Sequence, residues 1–69
     1  MKTRIQELRK ANKLSQEELG MAVGVTRQTI TSIECEKYTA SLVLAYKIAK
    51  YFNMTIEEIF DFTELEGEM

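Results

Sequence analysis

A chain of 69 residues with 45% hydrophobic content can build one small packed domain and no second one, and disorder is disfavoured. Its net charge of −2 is unevenly spread: residues 1–50 carry nine basic and five acidic groups, net +4, while residues 51–69 carry six acids and no Lys or Arg. There is no Pro, and Gly occurs only at Gly20, Gly24 and Gly67, too few turn residues for a strand-rich fold, so an all-α class is expected.

The first helix is expected over Arg4 to Asn12, with Ile5 and Leu8 inward and Thr3 as a possible cap. Ser15 and Glu18 then stand at capping-box spacing, and Leu14 with Leu19 makes a hydrophobic staple. Leu19, Ala22 and Val23 line one face of this second helix. Gly24 provides a turn, since Val25 does not favour φ > 0. Thr26 can cap a third helix with Ile30 and Ile33 inward. At about 100° per residue, Arg27, Gln28, Thr31, Ser32 and Cys35 fall on its opposite face. That face is basic or uncharged, rich in amides and hydroxyls, and suits a DNA major groove. Gln can pair with adenine and Arg with guanine or a phosphate; Thr31 and Ser32 are one turn on. Lys37 and Tyr38 follow in a loop, offering a charge and a hydroxyl to phosphate.

Ser41 can cap a fourth helix, Leu42 to about Phe52, with Leu42, Ala45, Ile48, Ala49 and Phe52 inward. Met54 to Ile59 repeats the staple and box and starts a short fifth helix. Phe60 and Phe62 alternate with Asp61, the spacing of a short C-terminal strand. A frayed acidic tail is expected over 64–69, leaving 1–63 as the domain.

Catalytic chemistry finds little support. Without His there is no imidazole base or imidazole ligand, and one Cys excludes a tetrathiolate zinc site. The carboxylate pairs Glu17–Glu18 and Glu57–Glu58 sit in first turns, where they complement helix dipoles. No catalytic residue, metal or cofactor is therefore expected. No apolar run approaches the ~18 residues of a membrane span. No secretory signal is visible in MKTRIQEL, and the lone Cys35 fits a reducing cytoplasm.

The run QEELGMAVGVTRQTITSIEC (16–35), flanked by LSQEEL and KYTASLVLAYKIA, resembles the helix-turn-helix of phage repressor and Cro-like (Xre) transcription regulators. The likeness covers roughly Ile5 to Phe60. It rests on Gln16, Leu19 with small Gly20, Gly24, Val25, Ile30, Ile33 and Glu34. It implies a five-helix repressor-like domain whose third helix (27–35) enters the major groove. It implies that Gln16 contacts a backbone phosphate and that Arg9 and Glu34 form an ion pair fixing the third helix on the first. The family's usual Asn-Gly loop pair and its proline before the fourth helix are replaced by Cys35-Glu36 and Ala40. The function implied is a sequence-specific regulator, a repressor acting as a homodimer on a two-fold double-stranded operator, with no small-molecule effector domain. The dimer contact is expected at Ile56, Ile59, Phe60 and Phe62, or else on the fourth helix around Tyr46 and Lys50. An antitoxin-like partner of a toxin, or a pure protein-interaction module, are the alternatives.

Overall fold

The computed structural model describes residues 1–68. Six helices follow in order: α1 (Ile5–Ala11), α2 (Gln16–Val23), α3 (Arg27–Glu34), α4 (Leu42–Phe52), α5 (Ile56–Ile59) and α6 (Thr63–Glu68). Each of the first five helices sends isoleucine or leucine to one centre: Ile5, Leu19, Ile30, Ile33, Ile48 and Ile59 are essentially inaccessible to solvent. Burying each such side chain contributes about 1.5–3 kcal/mol, which is how helices of four to eleven residues become stable together when alone they would not be. The anchor of α1 is Ile5, and Leu8 is only partly buried. The Thr3 hydroxyl accepts from Ile5 N–H at 3.3 Å, but the N-cap position itself is Arg4.

The helix starts follow the sequence closely. Ser15, Thr26, Ser41 and Thr55 each accept a hydrogen bond from the backbone N–H three residues on, and Ser15–Glu18 and Thr55–Glu58 form complete capping boxes. The helix ends rely on left-handed residues. Gly24 closes α2 at φ 79°, while Lys13, Glu36 and Asn53 take φ 56°, 63° and 56°.

Four features differ from the sequence reading. Leu44 lies in the core of α4, whereas Leu42 is 78% exposed. Leu42 is in line with Ala45 and Ala49 but, in the first turn of α4, stands at the edge of an open groove rather than in the core. The C-terminal strand reduces to a single antiparallel bridge between Phe60 and Thr3. Flanking bonds run from Arg4 N–H to Ile59 O (2.8 Å) and from Asp61 N–H to Lys2 O (2.9 Å). Phe60 is extended at φ −104°, ψ 126°, yet the chain turns into α6 after two more residues, so no ladder can grow. Most of the tail expected to fray over 64–69 belongs to α6, with the Asp61 carboxylate accepting from Thr63 N–H at 2.8 Å. Met69 lies outside the described residues. Finally, Ile59 and Phe60, expected at a dimer contact, are 1% and 3% exposed inside the protomer core. Helix α5 runs through Ile59 and turns that side chain inward, and Phe60 follows it, bridged to Thr3 just before α1. Ile56 and Phe62 remain partly accessible.

Candidate nucleic-acid interface

The site is the pair α2–α3 with the loop that follows. Ser15 Oγ accepts from Glu18 N–H (3.0 Å), and Glu18 Oε1 accepts from Ser15 N–H (2.8 Å). The bond from Ser15 N–H, with the Ser15 hydroxyl beside it, favours the ionised carboxylate and holds the Glu18 pKa below its ordinary value. At the other end, Val25 N–H reaches back to Gly20 O (2.8 Å) across the left-handed Gly24. Gly20 allows the turn to fold down on α2. A Cβ there would stand 2.7 Å from the Val25 carbonyl oxygen, a backbone atom that cannot move aside cheaply. The crossing of α2 and α3 is therefore set by a missing side chain.

Helix α3 buries Ile30 and Ile33 and turns Arg27 and Gln28 fully outward in its first turn; Thr31 and Ser32 are half-buried on the next. After Cys35 the chain closes with a pair of bonds, Glu36 N–H to Ile33 O (3.1 Å) and Lys37 N–H to Ser32 O (2.9 Å). This is the helix ending that usually takes glycine at the left-handed position, and Glu36 occupies it instead. The tight turn thus survives the loss of the glycine. Lys37 and Tyr38 emerge exposed just beyond the end of α3, as does the free thiol of Cys35.

Behind α3 lies a chain of polar contacts. Arg9 Nε and the Arg9 Nη2 group donate to the two Glu34 oxygens at 2.8 and 3.2 Å, and the Arg9 Nη1 group donates to Leu14 O at 2.8 Å. The two side chains are 11% and 5% exposed. Gln16 Nε2 donates to Glu34 Oε1 (3.0 Å), and the Thr31 hydroxyl donates to Gln16 Oε1 (2.9 Å). Glu34 is the one acid within α3. With its charge met by Arg9 and turned inward, the outer face of α3 presents Arg27 and no competing carboxylate of its own.

A family profile described as Helix-turn-helix matches residues 5–59, spanning α1 to α5. The chain belongs to this family. It is 54% identical over 66 residues to an uncharacterized HTH-type transcriptional regulator of Archaeoglobus fulgidus, covering 96% of this chain and 93% of that one. It is 52% identical over 60 residues to the uncharacterized HTH-type transcriptional regulator YgzD of Bacillus subtilis, covering 87% and 91% of the two chains. Among solved structures it is similar to the restriction-modification controller protein C.AhdI from Aeromonas hydrophila, with TM-score 0.75 and 35% identity over 83% of this chain and 86% of that one. The protein is a helix-turn-helix transcription regulator, and DNA is the ligand its family and its α3 face both point to.

In this regulator Arg27, Gln28, Lys37 and Tyr38 are exposed along one run from the start of α3 to the loop beyond it. Thr31 and Gln16 differ from the simple expectation: each is bonded to the other rather than left free. That link spans two helices and fifteen residues of sequence, and no spacing rule announces it. Among the described residues no group of three or more His, Cys, Asp or Glu could hold a metal ion. No described helix is long and apolar enough to cross a membrane.

Proposed function

We propose that the regulator is a cytoplasmic, sequence-specific repressor that binds a two-fold operator as a homodimer, each copy placing α3 in the major groove. The observation that carries this is the outer face of α3, where exposed Arg27 and Gln28 lie against a rigidly buried Ile30–Ile33 back. Gln28 would pair with adenine N6 and N7, and Arg27 with guanine or a phosphate. Ser32, one turn on, would reach base edges. Gln16, Lys37 and Tyr38 would hold phosphates on either side and set the register. A repressor needs only to occupy the operator, which this surface suffices for.

One α3 makes few base contacts, so two copies are needed for a specific site of ordinary affinity. The contact between copies lies on α4. Leu42, Val43 and Tyr46 are 78%, 64% and 57% exposed on that helix. Leu42 lines a groove of about 200 Å³ together with Ile56 and Phe62. Large apolar side chains clustered this way mark an association surface.

Selection from random duplexes tests the proposal. The expected product is an inverted repeat whose half-site centres are about 10–10.5 base pairs apart. A single asymmetric half-site, bound by one protomer, would remove the dimer. Failure to select any sequence would remove DNA readout and leave a protein-interaction role.

A further inference from the structure

The Gln16 amide is held from both ends. Its Nε2 faces Glu34 Oε1 at 3.0 Å, and its Oε1 faces the Thr31 hydroxyl at 2.9 Å. The orientation is fixed by Glu34. A carboxylate only accepts, so the NH2 end must face Glu34, and the oxygen is left to accept from Thr31. Glu34 is itself immobilised by the forked guanidinium of Arg9. A primary amide has two N–H donors. One is committed to Glu34, and the other is uncommitted, on a half-buried residue at the first position of α2.

We infer that Thr31 is a positioning residue, not a base reader: with Glu34 it clamps the Gln16 amide so that its free N–H is aimed at a DNA phosphate. This rests on the proposed Gln16–phosphate contact. Thr31 has one hydroxyl proton and two acceptors within the protein, Gln16 Oε1 and the Arg27 carbonyl oxygen at 3.0 Å. Its donor is kept inside the domain whichever acceptor holds it. The same bonds join α1, α2 and α3 through Arg9, Gln16, Thr31 and Glu34. The phosphate contact and the seating of α3 are thereby set by one device. An amide aimed in advance loses little freedom when it binds, which favours affinity for every sequence alike.

The test is a cycle of four proteins, wild type, Thr31→Val, Gln16→Ala and the double variant, titrated on the selected operator and on random duplex. Thr31→Val keeps shape and removes the hydroxyl. It should weaken both DNAs by one factor, about two- to fivefold, as expected for one neutral hydrogen bond. Base preference should not change. Gln16→Ala should weaken both by about three- to tenfold without altering the salt slope, because no charge is lost. The double variant should match Gln16→Ala. Thr31→Ser, which keeps the hydroxyl, should bind as wild type. In the free protein, NMR should show the Gln16 side-chain amide protons ordered in wild type and mobile in Thr31→Val. If the two losses multiply, or Thr31→Val shifts base preference, Thr31 touches DNA itself and the inference fails. If Gln16→Ala weakens nothing, the phosphate contact fails first and takes the inference with it.

Discussion

Arg9 and Glu34 show how one buried pair can serve geometry more than stability. Both charges leave water, and their attraction largely offsets that penalty rather than exceeding it. Removing one partner is a different matter. Glu34→Ala should destabilise the fold by about 3–5 kcal/mol, because Arg9 stays buried and unpaired. Replacing both by apolar residues of similar size should recover most of the loss. Denaturant melts of the single and double variants check this; wild-type stability in Glu34→Ala would show that the pair holds nothing. The pair was legible through the family likeness, since Arg9 flanks the inner stripe of α1 and Glu34 flanks Ile30 and Ile33. The attachment of Gln16 and Thr31 to it was not legible. Each looks like a surface residue on its own helix, and only the crossing angle set at Gly20 brings them together.

At the scale of the element, helix starts are written locally and helix ends are not. A Ser or Thr three residues before a Glu fixes an N-terminus whatever surrounds it, so Ser15 and Thr55 could be read directly. Lys13 and Glu36 in the left-handed region could not, because nothing in either side chain asks for it. The same gap explains the C-terminal segment. Phe60 and Phe62 do alternate with Asp61, but the Asp61 carboxylate accepts from Thr63 N–H at the start of α6, and the extended stretch ends after one bridge. Leu42 reads as inward by periodicity, which knows the angle of a residue but not where its neighbours stop. Two outcomes follow from the helix ends. Glu36→Gly should stabilise the domain by about 0.5–1 kcal/mol in thermal melts, since glycine takes φ > 0 without the steric cost. It should also tighten DNA at low salt by removing an acid beside Lys37. An unchanged melting temperature would mean that Glu36 is not strained. The capping boxes predict a pH dependence. Hydrogen bonds from Ser15 and from Thr55 lower the Glu18 and Glu58 pKa below the ordinary 4.5. Folded values below unfolded ones mean stability that is present above pH 4.5 and lost as pH falls through the folded values. Urea melts between neutral pH and acid should show this loss, and the Glu18→Gln/Glu58→Gln double variant should show less of it. Equal acid limbs would take the boxes out of the pH response.

For the whole molecule, charge and apolar surface divide the labour. The basic share lies in residues 1–50, which include the entire α2–α3 unit, and the acidic share lies past Lys50. A net charge of −2 therefore says little about DNA, since screening over about 8–10 Å lets the local face decide. The apolar excess is on α4, where Leu42 and Val43 stand in water. Changing Val43 to Asp should leave the melting of the protomer almost unaltered while halving the mass in solution and weakening the operator complex. Sedimentation of that variant at the same size as wild type would place the contact between copies elsewhere. In the proposed complex readout would rest on Gln28, exposed in the first turn of α3. The most direct measurement is the affinity of Gln28→Ala for the selected operator and for random duplex at one salt concentration. A loss of about 1–3 kcal/mol is expected on the operator and almost none on random DNA. Equal losses on both would contradict it and make Gln28 a backbone contact.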